Sequence, residues 1–244
     1  MPKHPPITLR YFDARGRAQP FRYLFAARGV AYREDLVPLS TGGGAGAAWP
    51  AMKEDRTRVG PFHKLPVLHY GERTIAETLV IGVFLHRALG DLAQLSDDDN
   101  LRHAMLVSSL YGDVVTPIAM LLWAEALYPG VDYAGFARQS LGRIHGHLGR
   151  LETTLAEWRW AESMRARPVM LADCLLWEEL DVAQHVFGVN ARLERFPTLA
   201  RLYAESPGRA GFKKVLAAHA APVTGRGLAA EAEIIGRLPG LLAA

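Results

Sequence analysis

Tyr11 ends an apolar-alternating run, Ile-Thr-Leu-Arg-Tyr at 7–11, and Phe-Asp-Ala-Arg-Gly-Arg follows before an amphipathic stretch begins. That order puts a phenol just beyond the carboxyl end of a strand, where open α/β sheets bind ligands. A neutral phenol there can donate a hydrogen bond to an anion; equally, an aromatic residue can serve only to close the strand. Arg15 and Arg17 sharpen the choice. Both precede a helix, at its positive end, where a cation is disfavoured by about 0.3–1 kcal/mol unless an anion stands nearby. That anion is either a ligand or, for one of the two arginines, the neighbouring Asp13.

Further along, Trp49 and Lys53 stand four apart in Trp-Pro-Ala-Met-Lys and share one face of a helix or turn. Lys64 adds a second cation, or a solvated one, beside Leu65-Pro66. A proline entering a strand is tolerated where the backbone turns outward, which leaves either an ordinary strand start or main-chain groups free to pair with an extended ligand. Glu77-Thr78 opens a helix. The helix start favours a carboxylate and Glu77 can hold an ammonium, while the pair also stabilises the helix by itself.

The elements that must carry these groups follow from period and punctuation. A strand over 7–11 leads to a helix over 17–28, with Phe21, Leu24 and Phe25 as its buried stripe and Gly29 as its stop. Strands are predicted at 32–37, 67–70 and 74–76, the last two joined by a turn at Gly71-Glu72, and a helix runs over 77–89 to Gly90. The Gly/Ala-rich 40–48 reads as a mobile loop. After a short link the 3.6-residue period takes over, with helices at 101–126, 171–186, 197–206 and 208–219. Leu141, Ile144, Leu148, Leu151 and Leu155 form the stripe of another, which Trp158 and Trp160 close. The fold class is therefore α/β followed by all-α, with domains at 1–90 and 97–220. The tail at 221–244 holds one amphipathic stretch over 228–238, which either packs over a site or hangs free.

Composition narrows the function. Half of the 244 residues are hydrophobic, enough for a substantial core, and the net charge is only +3. Positive charge is scattered rather than gathered on one face, which argues against nucleic acid as partner. No apolar run approaches the roughly 20 residues of a bilayer span, so no membrane partner is expected. The opening Met-Pro-Lys-His-Pro-Pro lacks a signal-peptide core, and the single Cys174 excludes an internal disulfide framework, which together point to the cytoplasm. His145 and His147 fall on opposite sides of a helix and make a poor metal pair. No metal is expected.

Strand, tyrosine and arginine-rich turn, then Trp49-Pro-Ala-Met-Lys53, Leu65-Pro66-Val67-Leu68 and Glu77-Thr78: in this order and spacing the chain resembles the cytosolic glutathione transferases. The resemblance spans nearly the whole chain and is strongest over 7–90. It is nearest the tyrosine-type classes (alpha, mu, pi, sigma), and Trp-Pro-Ala-x-Lys is most like sigma. It implies a thioredoxin-like N-terminal domain, an all-helical C-terminal domain and a homodimer. It also implies a cis bond before Pro66 and glutathione as co-substrate. Trp49 and Lys53 then face the glycyl end, Lys64 stands where many relatives carry glutamine, Leu65 and Pro66 face the peptide backbone, and Glu77 and Thr78 the γ-glutamyl end. Tyr11, with Arg17 nearby, stabilises the thiolate that attacks a hydrophobic electrophile. The alternatives are a non-catalytic glutathione or hydrophobic-ligand binder and a glutathione-dependent isomerase or peroxidase.

The chain also departs from that pattern. Met170 stands where a helix-capping Ser or Thr is usual, a loss of about 1 kcal/mol. The region at 104–110, where a partner-subunit acid is expected, contains none, and Glu77 is left to compensate. The Gly-rich loop at 42–46 is long and bears on the approach to Trp49. Cys174 follows no Cys-x-x-Cys or strand-end pattern, which excludes disulfide exchange. The electrophile is expected beside the segment after Tyr11, near Tyr111 and under the tail.

Overall fold

A computed structural model describes residues 4–40, 45–90, 95–187, 193–206, 208–218, 223–224 and 228–243. The Gly-rich residues 42–44, part of the link after Gly90, and Pro222, Gly225 and Gly227 of the tail lie outside the described residues. The N-terminal alternation resolves into β1 (Ile7–Phe12). Its two-residue period sends Ile7, Leu9 and Tyr11 to one face and Arg10 and Phe12 to the other. Beside it lie β2 (Arg33–Val37), β3 (Val67–Tyr70) and β4 (Arg73–Ala76), in the order β2-β1-β3-β4. β1 runs parallel to β2 and antiparallel to β3, and β3 is antiparallel to β4.

α1 (Gln19–Arg28) crosses from β1 to β2. Pro20 in its first turn and Gly29, at φ 61°, punctuate it as the sequence indicates. Phe21, Leu24 and Phe25 are buried against Leu9 and Leu68 of the sheet and Ile81 and Leu85 of α4 (Thr78–Ala88). The opposite face carries α2 (Trp49–Glu54) and α3 (Arg56–Val59), where Phe12, Trp49 and Leu65 pack on Val37, Met52 and Val59. This is the thioredoxin-like half.

The helical half starts earlier than its apolar period does. Ser96 caps α5 (Asp97–Leu110) by accepting the Asp99 N–H at 3.1 Å, and the acids at 97–99 suit the positive helix end. The helix expected over 101–126 is not one regular rod. A π-helical turn at Tyr111–Val115 separates α5 from α6 (Thr116–Leu127). Pro117 supplies no N–H and crowds the preceding turn, so the ladder widens there. By length and composition alone Asp97–Leu127 is apolar enough to cross a membrane, contrary to the sequence expectation. Its buried positions, from Leu106 to Ala124, instead belong to the core shared with α7 (Tyr133–Glu157) and α9 (Leu171–Phe187).

Trp158 and Trp160 do not close one helix. Arg159 takes a left-handed φ of 51°, and Trp160 opens α8 (Trp160–Ala166). The break turns Trp160 inward, where its indole N–H donates to Asp173 at 3.0 Å. Asp173 also accepts the Met170 N–H at 2.9 Å, so half of the missing capping box survives. α10 (Pro197–Glu205) and α11 (Arg209–Ala218) follow as expected. In the tail the amphipathic stretch extends to α12 (Leu228–Ala243), and Ile234 and Leu238 are buried in the core.

Candidate functional site

The sheet register lines up most of the sequence-predicted residues. Val67 pairs with Arg10 on one side and Ala76 on the other, so the Leu65-Pro66 peptide enters β3 between Tyr11 and Glu77. That peptide is cis. Glu77 holds a φ of 68°, an uncommon conformation for a residue with a side chain, and its carboxylate makes no capping bond to α4. Thr78 is buried. Trp49 joins the row through aromatic edges, with Trp49 on Phe12 at 5.0 Å between ring centroids and Phe12 on Tyr11 at 5.6 Å. Lys53 and Lys64 are exposed at the border, and neither side chain makes a bond to the row.

Tyr11 is held by its own turn. Its hydroxyl oxygen accepts the Arg17 N–H at 3.1 Å, which leaves the phenolic proton to be donated elsewhere. Gly16 makes this possible: at φ 40°, any Cβ there would come within 2.5 Å of the Tyr11 hydroxyl. Burial first, opposed by the Arg17 N–H and charge, raises the Tyr11 pKa, so the phenol stays neutral.

The two arginines that looked alike in sequence diverge. Arg15 is buried and donates to both Glu178 oxygens at 3.0 and 2.8 Å and to Asp181 at 2.6 Å, all on α9. Its counter-ions are therefore neither a ligand nor Asp13. Arg17 is exposed at a cavity mouth, with no side-chain partner among the described residues.

That cavity, of about 350 Å³, lies where Tyr11, Gly16 and Arg17 face the helical half. Val115, Ile118, Ala119 and Trp123 of the bent helix and Val182 of α9 give it apolar walls. Two further groups complete it, one from a place the sequence did not single out and one from the tail, for which packing over a site was one of the two expectations. Glu179 of α9 also lines it, and burial first, then Glu178, pushes its carboxyl well above the usual range. Val223 and Thr224 roof it, and the tail is latched down: the Gly16 N–H donates to the Val223 carbonyl at 2.8 Å. Glu231 in turn accepts the Val223 and Thr224 N–H groups at 2.7 and 2.6 Å. The tail thus packs over the site.

No family model matches the chain. The hematopoietic prostaglandin D synthase of Gallus gallus is 33% identical over 215 residues, 83% of this chain and 98% of that protein. Glutathione S-transferase P 1 of Xenopus laevis is 26% identical over 121 residues, half of this chain and 53% of that one. The chain belongs to the cytosolic glutathione transferase family. The fold agrees: the Onchocerca volvulus Pi-class glutathione S-transferase matches with a TM-score of 0.66 at 21% identity, over 91% of this chain and 98% of that one. As a member of the family the protein is a glutathione-dependent transferase or isomerase, and glutathione is its co-substrate.

Other reactive side chains among the described residues are engaged or buried elsewhere. No group of three His, Cys, Asp or Glu side chains converges there as a metal site. His147 is buried against Ser109 and Asp113, while His145 meets the Phe196 ring. Cys174 is fully buried, and burial raises its thiol pKa well above the ordinary value, which makes it inert. The signal for the α9 contribution was visible in Trp-Glu-Glu-Leu-Asp at 177–181, acids set into an otherwise apolar helix.

Proposed function

We propose that the protein conjugates the glutathione thiolate to hydrophobic electrophiles, with Tyr11 as the hydrogen-bond donor to sulfur. One observation carries this: the Tyr11 oxygen accepts from the Arg17 N–H, which leaves its phenolic proton to be donated. The Arg17 guanidinium adds positive charge at the same point. In this reading Leu65, beside the cis Pro66, pairs with the peptide backbone of glutathione. Glu77, whose carboxylate has no bonded partner among the described residues, takes the ammonium, and the α4 N-terminus around Thr78 takes the γ-glutamyl carboxylate. Trp49, Lys53 and Lys64 serve the glycyl carboxylate. The electrophile sits in the apolar cavity under the tail.

The same reading includes a cytoplasmic location and a homodimer. Leu79, Val80 and Val83 of α4 and Leu101 and Met105 of α5 are exposed apolar side chains, which in this reading a second copy covers. Because 104–110 holds no acid, Glu77 binds the ammonium from within the same chain.

A glutathione-dependent isomerase is the second reading, supported by the prostaglandin D synthase likeness over 98% of that protein. Both share the first step, and one experiment tests it: titration of the bound thiol by its thiolate absorbance, in wild type and Tyr11→Phe. A hydrogen bond to a charged acceptor contributes about 1.5–3 kcal/mol. At 1.36 kcal/mol per unit, the Tyr11→Phe thiol pKa should rise by about 1–2 units. Equal values in the two proteins, or a wild-type value near that of free thiol, refute thiolate stabilisation by Tyr11.

A further inference from the structure

Glu178 and Glu179 are neighbours on α9 with opposite surroundings. Glu178 is satisfied on both oxygens by Arg15 and by the Tyr23 hydroxyl at 2.9 Å. Glu179 is only 6% exposed, lines the cavity, and has neither hydrogen bond nor ion pair among the described residues. A buried acid without a partner stabilises nothing; an apolar residue of that size would serve the core better. Kept neutral by burial and by Glu178, against the weaker pull of Arg15, it is instead a proton donor set in apolar walls. Tyr111, on the π-helical turn, has a buried hydroxyl with no partner among the described residues and lies in the field of Glu179, Arg17 and Tyr11. The cavity lining thus holds Tyr11 and Arg17 together with Glu179, an acid with no bonded partner among the described residues.

We propose that Glu179 is the general acid of the electrophile cavity when the acceptor is a hydrophobic α,β-unsaturated carbonyl compound. This deepens the transferase reading and rests on it. The thiolate electron pair forms the C–S bond at the β-carbon, and the C=C π pair moves toward the carbonyl, leaving an enolate. The Glu179 proton passes to the enolate oxygen, and the enol then tautomerises to the saturated carbonyl. Glu179 regains a proton from solvent, which received the one released by the glutathione thiol. The net change is addition of S–H across the double bond. Apolar walls suit the hydrocarbon part of such a substrate, and the acid is the polar group that meets its oxygen.

The test compares two acceptors, benzylideneacetone, which must gain a proton, and chlorodinitrobenzene, whose halide leaves without one. General acid catalysis contributes about 10²–10⁴ in rate, so Glu179→Gln should lower the ratio of benzylideneacetone to chlorodinitrobenzene kcat at least about 100-fold. The amide still donates a hydrogen bond, so KM for benzylideneacetone should change little. Glu179→Met, which removes the donor too, should show the same ratio loss with a raised KM. An unchanged ratio in either folded variant overturns the proposal, as does a wild type that conjugates only the aryl halide. A wild type that conjugates neither acceptor overturns the transferase reading, and this proposal with it.

Discussion

Replacing Arg15 by Met should unlatch the two halves of the molecule. The side chains of Arg15, Glu178 and Asp181 are 7%, 2% and 18% exposed, so this is a buried cluster rather than a surface pair. Burial works to lower the Arg15 pKa, yet Glu178 foremost, then Tyr23 and Asp181, lift it above the ordinary arginine value. Without the guanidinium, Glu178 keeps only the Tyr23 hydroxyl, while Asp181 keeps the Tyr203 hydroxyl at 2.7 Å and some water. Removing one partner of a buried pair costs about 3–5 kcal/mol, against about 0–1 kcal/mol for an exposed pair. For a chain of this length, each kcal/mol lowers Tm by about 2–4 °C, so a drop of about 6–20 °C is expected. Urea unfolding followed by tryptophan fluorescence, with Trp177 beside the cluster, reads the loss directly. Arg15→Met/Glu178→Leu should recover much of it, because the fully buried carboxylate is gone and the charge that remains, Asp181, is partly exposed and still accepts from Tyr203. A loss below about 1 kcal/mol in the single variant would refute the clasp, since that is what an exposed pair gives. A double variant as unstable as the sum of its singles would also refute it.

Gly16→Ala should lower conjugation at least about tenfold: the left-handed φ costs about 1–2 kcal/mol, and the new Cβ displaces the Tyr11 hydroxyl from 2.5 Å away. Unchanged turnover and thiol pKa would show that the phenol position is not what activates sulfur. The raised Glu179 pKa also makes stability depend on pH. A folded value above the unfolded one, about 4.3, means folding takes up a proton. The contribution is complete below that pH and is lost as pH rises through the folded value. Glu179→Gln should flatten this decline in unfolding free energy measured against pH, and an identical slope in both proteins would count against a neutral buried acid.

Much of the fold was legible because its signals are local. Gly29 stops α1 because a left-handed residue is needed there, and the two-residue alternation of Ile7, Leu9 and Tyr11 marks one face of β1. The ordered motifs from Tyr11 to Thr78 marked the end of the sheet that carries the candidate site. What escaped were breaks and closures set by distant partners. Trp160 leaves the helix of Trp158 because its indole reaches Asp173, and α12 lies down because Glu231 and Arg237 find the Val223–Thr224 amides and Glu125. Neither partner is apparent from period or composition.

The sequence by itself determined the order of strands and helices, the phenol at the strand end, and two arginines facing a need for negative charge. It could not distinguish those arginines, nor Glu178 from Glu179, because neighbours in sequence share local propensity and charge. Only the tertiary structure separated them. Chain 163 residues away brings Glu178 to Arg15, which buries that pair as a clasp. Among the described residues the same packing leaves Arg17 and Glu179 unpaired at the cavity, because a charge's role depends on what the fold sets opposite it.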